Sequence, residues 1–325
     1  MKAKAALSIM ALLAAAGASL CLGAAAIGPA QLWEALLSGP GTTAGRIFWL
    51  VRLPRTAACL LAGAALSAAG CVIQNVLANP LASPNIIGVN AGAGLAVTVC
   101  CACGALSGWI TAAAAFGGAF LAVLAVSGAA RMVGASRTTV ILAGVAVNAF
   151  LGAVSDTVTN LVPDAAVLSS DFRVGGFGSV TVARLVPAGV LILLALGAVV
   201  LLSNELEILS LGEDTARSLG LNAGRMRTVF LALAAVLCGA AVSFAGLLGF
   251  VGLIVPHAVR RFAGTRCRRL LPLSAIWGAS FVTACDLLAR LAFRPRELPV
   301  GILLSALGGP FFLWILWKRR RGASC

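Results

Sequence analysis

The sequence predicts an all-α polytopic membrane protein of about ten transmembrane helices arranged as two inverted five-helix repeats, and three observations carry that expectation. The first is composition: of 325 residues, 61% are hydrophobic and 10% charged, with a mean hydropathy of +1.04. Such a chain has no room for a sizeable soluble domain. The second is that ten apolar segments can be drawn, near 5–27, 57–77, 88–107, 109–130, 138–160, 184–203, 226–247, 248–259, 271–290 and 299–317. At ~1.5 Å per residue most are long enough to cross a hydrocarbon core of roughly 30 Å. The third is internal similarity: a shift of 176 positions lays 61–70 over 237–246 with seven of ten residues matched, and carries Pro80 onto Pro256 and Gly88 onto Gly264. Five crossings separate the copies, so they run in opposite directions, an arrangement common in transporters. A single membrane domain therefore covers 1–325, its first repeat at about 1–160 and its second at about 184–321, with a cytoplasmic polar segment at 205–227.

Taken in order, the first segment follows Lys2 and Lys4 and ends in Ala24-Ala25-Ala26, a pattern shared with cleaved leaders. Its length favours a retained helix. Helix 57–77 places Gly63, Ser67 and Gly70 on one face, where a neighbour can approach backbone to backbone, and Gln74 ends that face. Asn79-Pro80-Leu81-Ala82-Ser83-Pro84 cannot continue the helix, because each proline lacks an N–H and pushes the residue before it out of helical geometry. Irregular backbone at membrane depth survives only against protein or a water-filled cavity, so the stretch reads as the lining of a path or as a plain interhelical loop. Asn148, Asp156 and Asn160 recur along the fifth helix on roughly one face, which lines a path or bonds a neighbouring helix. Glu205–Arg227 is the longest polar interval, and 211–220 reads as a short helix with Glu213 and Arg217 at i,i+4 and Gly220 as its stop. The eighth segment is short and punctuated by glycine, so a full crossing is open. His257, the only histidine, suits hydrogen bonding at a helix end. Asp286 and Arg290 lie one turn apart and should pair near the outer surface, and Glu297-Leu298-Pro299 should start the last helix.

Charge sets the orientation. With both termini in the cytoplasm, 16 of the 24 Lys and Arg fall inside, among them Lys318, Arg319, Arg320 and Arg321, as short-loop bias requires. Six of the eight outside cations form two clusters, Arg46, Arg52 and Arg55, and Arg290, Arg294 and Arg296. They suit either an acidic partner or lipid phosphates. The net charge of +14 is spread over loops of opposite sidedness and does not mark a nucleic-acid surface. Eight of the ten cysteines lie in apolar segments, where cysteine acts as a small hydrophobe; Cys100-Cys101-Ala102-Cys103 has no partner cluster at metal spacing, and no metal site is expected. The six tryptophans, Trp33, Trp49, Trp109, Trp277, Trp314 and Trp317, are expected near helix ends as interfacial anchors.

Several motifs, in order over nearly the whole chain, together resemble the permease family of ATP-driven importers for iron-siderophores, haem and vitamin B12. They are Arg52-Leu53-Pro54-Arg55, Gly70 through Gln74, Asn79 through Pro84, Gly88 through Ala93, Leu211 through Gly220, Gly249 through Leu253 with Pro256, His257 and Arg260, Asp286 with Ala289-Arg290, and Glu297 through Gly301. The resemblance implies a permease paired with a second copy or a homologue, two cytoplasmic ATPases, an outer substrate-binding protein, and residence in a prokaryotic plasma membrane. No cofactor is implied on this chain; ATP and Mg belong to the partner ATPase. By the same resemblance Arg52, Arg55 and Arg290 meet glutamates of the binding protein, Asn79, Pro80 and Leu81 form a cytoplasmic gate, and the helix holding Gly212, Glu213, Ala216, Arg217, Leu219 and Gly220 couples to the ATPase. Phe172-Arg173-Val174-Gly175-Gly176 departs from the family pattern, which has Trp and then Gly-Ser there, so no substrate contact is carried over.

The chain lacks the lysine of a phosphate-binding G-x-x-x-x-G-K-[ST] loop, since none occurs between Lys4 and Lys318, and it is expected to be a transport subunit rather than an enzyme. Gln74, Asn148, Asp156 and Asn160 are the candidate path-lining residues. An ion-driven secondary transporter is the alternative; it needs ionisable residues near midplane, for which Asp156 is the one candidate. An intramembrane hydrolase is disfavoured, because no Ser/His or paired-Asp constellation falls at matching depth.

Overall fold

A computed structural model describes residues 2–23, 28–133, 136–292 and 296–322. Ala24-Ala25-Ala26 and Arg294 lie outside the described residues, as do the side chains of Lys2 and 318–321. The described residues form helices and turns without strands: α1 Lys2–Cys21, α2 Pro29–Ser38, α3 Thr43–Arg46, α4 Leu53–Val76, α5 Val89–Ala102, α6 Gly108–Met132, α7 Arg137–Leu161, α8 Pro163–Val174, α9 Val182–Leu201, α10 Ser203–Ser210, α11 Glu213–Ser218, α12 Ala223–Ala245, α13 Val251–Ala263, α14 Cys267–Leu291 and α15 Val300–Gly322. Every expected apolar segment is helical over most of its length. Seven of these helices are long and apolar enough to span a membrane; α5 and α13 are shorter, and α13 with 13 residues reaches only about 20 Å. The doubt over the eighth segment is thus met by a short helix, preceded by the irregular stretch Leu247–Phe250.

The bundle is built around α4. Its small side chains leave its backbone accessible, and α14, α12 and α13 pack along it. The face read from Gly63, Ser67 and Gly70 makes these contacts. A Cβ on Gly63 would collide with the carbonyl of Gly278 in α14, and one on Gly70 with the carbonyl of Gly252 in α13. Ser67 is fully buried beside Gly278. Helix α4 lies on α14, while α12, whose sequence aligns with it, lies on α6 as well as on α4. Helices α1 and α7, by contrast, turn most of their surface outward.

Several details depart from the sequence reading. Helix α4 does not begin at residue 57, because a π-helical turn, Ile47–Arg52, feeds straight into it. The N–H of Leu53 bonds the carbonyl of Phe48, and Pro54, which offers no N–H, sits where the register changes from π to α. Helix α2 was hidden by its mixed composition; Pro29 opens it, Gln31 Oε1 accepts from the N–H of Gly28 at 3.2 Å, and Trp33 and Leu37 stay exposed. Trp277 is no interfacial anchor: it sits mid-helix, packs edge-on to Phe262 and donates to Ser8 Oγ at 2.9 Å, tying α14 to α1. His257 lies in the middle of α13, edge-on to Phe311, rather than at a helix end. Pro299 immediately precedes α15 and accepts from the N–H of Ile302.

If the Gly63–Gly278 crossing holds the two halves together, Gly63→Ala should cost about 1–3 kcal/mol, the scale of overpacking a close contact. Gly197→Ala, whose new methyl meets open space on α9, should leave the unfolding midpoint in detergent unchanged or slightly raised. Equal midpoints for the two variants would contradict the packing.

Candidate functional site

At one end of the bundle, the arginines expected to face an outer partner turn inward. Arg55 of α4 is 8% exposed and Arg290 of α14 is 3% exposed, and both hold Asp286, which is fully buried. Arg55 Nε lies 3.2 and 3.1 Å from the two Asp286 oxygens and its Nη2 donates to Oδ1 at 2.9 Å, while Nη1 donates to Glu297 Oε2 at 2.6 Å. Arg290 Nε lies 2.9 Å from Asp286 Oδ2, and its Nη2 donates to Ser19 Oγ at 2.7 Å. Ser19 in turn shares a hydrogen bond with Thr56 at 2.8 Å. Two guanidiniums thus face two carboxylates, so the charges of Arg55 and Arg290 are balanced within the chain. Arg52, 3% exposed, donates from Nη1 to the carbonyls of Leu20 and Cys21 at 2.8 Å each, closing the end of α1, where unpaired carbonyls carry negative partial charge.

The three arginines read as docking residues are thus buried in the described chain. In this conformation Arg52, Arg55 and Arg290 are spent on contacts within the chain, because leaving them unpaired in an apolar bundle would cost several kcal/mol each. The Asp286–Arg290 pair was legible from i,i+4 spacing, although it is buried rather than superficial. Arg55–Asp286 was not, since 231 residues separate the partners. The most accessible member of the cluster is Glu297, whose side chain is 37% exposed. It opens with Arg55 onto a cavity of about 630 Å3 that also meets Asp171 and Arg184.

At the opposite end of α4 the chain turns as proline and asparagine chemistry dictates. The N–H of Asn79 reaches back to the carbonyl of Gln74 at 3.0 Å, Asn79 Oδ1 accepts from the N–H of Leu81 at 3.0 Å, and Ala78 is held at φ +45°. Asn79, Pro80 and Leu81 are half-buried, and a 3₁₀ turn, Pro84–Ile87, leads through Gly88 at φ +93° into α5. Gln74, read as path-lining, is instead an internal strut. It is 2% exposed, donates from Nε2 to the carbonyl of Gly252 at 3.0 Å and accepts from Arg260 Nη1 at 2.6 Å. The polar residues of α7 separate as well. Asn148 Nδ2 donates to the carbonyl of Asn85 at 2.8 Å and so supports the 3₁₀ turn, whereas Asp156 and Asn160 are exposed, Asn160 capping the carbonyl of Asp156 at 2.9 Å.

The short polar helix is α11. Gly212 at φ +126° and Gly220 at φ +80° bound it in conformations that glycine adopts freely. Glu213 takes Arg217 Nη2 at 2.8 Å and Arg227 Nη2 of α12 at 3.0 Å, and Ala216 is fully buried beneath the helix. Leu211 and Leu219, 63% and 61% exposed, flank it. The guanidinium of Arg227 bonded to Glu213 holds that carboxyl below the usual glutamate range; partial burial opposes this, and the charges of Arg227 and Arg217 add to it. Arg137 of α7 braces the preceding turn by donating to the carbonyl of Leu209 at 2.8 Å.

Comparison with known proteins agrees with this layout. The profile of the FecCD transport family matches residues 11–318. The chain is 36% identical to the hemin transport system permease protein HmuU of Yersinia pestis, covering 85% of each chain. It is 36% identical to the Fe(3+) dicitrate transport system permease protein FecC of Escherichia coli K12, over 93% of this chain and 92% of that one. To the vitamin B12 import system permease protein BtuC of Escherichia coli O9:H4 it is 37% identical, over 93% and 91%. A structure described as an inward-facing conformation of a metal-chelate type ABC transporter superposes with a TM-score of 0.83 at 26% identity, covering 96% of this chain and 97% of that one.

Two outcomes follow from the geometry. Asp286→Asn leaves two buried guanidiniums short of a charge and should cost about 3–5 kcal/mol, whereas Glu297→Gln, at a partly hydrated site, should cost about 1 kcal/mol or less; similar unfolding midpoints for both would contradict the burial of the cluster. Because Glu213 titrates below its unfolded value near 4.3, the stabilisation it provides is fully present above that pH and is lost as pH falls through the lower folded value. Hydrogen exchange of residues 213–220 should therefore be unchanged from pH 7 to about 5, once corrected for intrinsic rates; Glu213→Gln should raise it at pH 7.

Proposed function

Because the chain belongs to the FecCD transport family, we propose that it is the membrane-spanning translocation subunit of an ATP-driven importer for an iron chelate, haem or cobalamin, switching between outward and inward access. The observation that carries this reading is the family match over 11–318, which takes in both halves of the bundle and the polar helix between them. A binding protein on the outer face would deliver the substrate, and a cytoplasmic ATPase dimer would bind ATP and Mg and hydrolyse the nucleotide. A second copy of this chain or a homologue would complete the path, in the inner membrane, with both termini inside.

Within that scheme the sites take definite roles. Helix α11 is pinned from below by Ala216 and sideways by Glu213 to Arg227, and offers Leu211, Arg217 and Leu219 to a groove on the ATPase. A push on α11 passes through Arg227 into α12, which lies along the central helix α4. The turn Asn79–Leu81 serves as the cytoplasmic gate, with Gln74, Gly252 and Arg260 joining the two repeats just above it. At the outer end an acidic group of the binding protein engages Arg55 by displacing Glu297, its more exposed partner. Asp156 and Asn160 face the second permease across the path.

The ion-driven alternative draws less support. Its candidate, Asp156, is exposed at the surface of α7, and the deeply buried acid Asp286 is already neutralised by two arginines.

Purification of the tagged chain in mild detergent should recover an ATPase in a two-to-two complex, and uptake into vesicles should depend on ATP. In that complex Glu213→Ala with Arg217→Ala should leave ATP hydrolysis running while uptake falls about tenfold or more, the scale of losing 1.4 kcal/mol or more of coupling. Recovery of the chain alone, with uptake driven by an ion gradient and no ATP, would overturn the proposal.

A further inference from the structure

We propose that the basic pocket at the foot of α12 binds phosphate, supplied by the headgroup of an anionic lipid or by a free phosphate ion. The pocket, about 290 Å3, lies between the last turn of α6 and the first turn of α12. Arg131, Arg225 and Arg227 are among its lining residues, and no acidic residue is among the described ones.

The arrangement runs against ordinary helix electrostatics. The N-terminus of a helix carries positive partial charge and favours acidic neighbours, yet the first turn of α12 has no acid and Arg225 and Arg227 stand at its third and fifth positions. Arg131 is brought in from α6, where its Nη2 donates to Thr228 Oγ1 at 2.5 Å. The nearby carboxylate, Glu213, lies behind Arg227 at 3.0 Å and is shared with Arg217. Arg227 is 3% exposed and fixed by that contact, whereas Arg131 and Arg225 remain at the surface and can close on a ligand. The space beside Gly224 is open: a Cβ there would meet only Asn222 Oδ1, at 3.8 Å. An anion seated here would gain charge-assisted bonds from three arginines and the field of the helix end, the combination that recognises phosphate. Basic pockets between membrane helices on the Lys/Arg-rich side take lipid headgroups for the same reason. Because Arg227 also anchors Glu213, an occupied pocket would tighten or loosen α11.

The test uses the full chain in detergent with two probes, phosphatidylglycerol against phosphatidylcholine in native mass spectrometry, and inorganic phosphate against chloride at matched ionic strength in thermal unfolding. The variant is Arg131→Gln with Arg225→Gln, both exposed, and the control is Arg268→Gln with Arg269→Gln, an equal loss of charge in the first turn of α14. The wild type should prefer phosphatidylglycerol by about tenfold, the scale of one charge-assisted hydrogen bond, or be stabilised by phosphate; the variant should lose that response and the control should keep it. A response to the lipid alone identifies a headgroup site, and a response to the ion alone identifies a free-phosphate site. Indistinguishable behaviour of wild type and variant, or equal loss in the control, would overturn the proposal.

Discussion

A fully buried aspartate, Asp286, sets the terms for one end of this molecule. A carboxylate without water is tolerated only beside compensating charge and donors, and here Arg55 and Arg290 supply both from two helices. The pair fixes the register of α4 against α14, and Arg290 extends the network to Ser19 of α1, which bonds back to Thr56 of α4. Glu297 balances the remaining charge and places the start of α15. Four helices are therefore positioned by one group that cannot be left alone.

The other end of α4 repeats the principle with a neutral side chain. Gln74 satisfies the carbonyl of Gly252, which has no helical donor because the residue four positions on is Pro256, and takes Arg260 on its oxygen. Between these polar ties helices meet backbone to backbone at Gly63–Gly278 and Gly70–Gly252. Such a hub is stiff along its length and fastened at both ends. Conformational change is then expected at the turns that flank it, 77–88 and 246–250, and not within α4.

Much of this was legible in the sequence because membrane physics is severe. Apolar runs marked the helices, small residues marked the close face of α4, and i,i+4 spacing marked Glu213–Arg217 and Asp286–Arg290. The misread polar side chains share one property, a partner distant in sequence. Arg55 read as a surface cation because its two carboxylates lie more than 200 residues away, and Gln74 read as path-lining because Gly252 and Arg260 are 178 and 186 residues away. Asn148, Asp156 and Asn160 looked like one stripe, yet only Asn148 turns toward a neighbouring loop. A signal was present in the charge inventory: with 10 acids against 24 Lys and Arg, an aspartate and a glutamate near an anomalous arginine cluster should have been matched with it. The amphipathic helix α2 and the π turn before α4 left no comparable mark, since neither breaks or extends a strongly apolar run.

The most direct measurement is a double-mutant cycle between Arg55 and Asp286 in the full chain, with Arg55→Met and Asp286→Leu, followed by thermal or denaturant unfolding in detergent. If each group is there to neutralise the other, each single change should be severe and the double variant should recover part of the loss, with a coupling of about 1–3 kcal/mol between the two sites. Simple addition of the two losses would mean that the arginine and the aspartate act independently and that the cluster does not hold the helices.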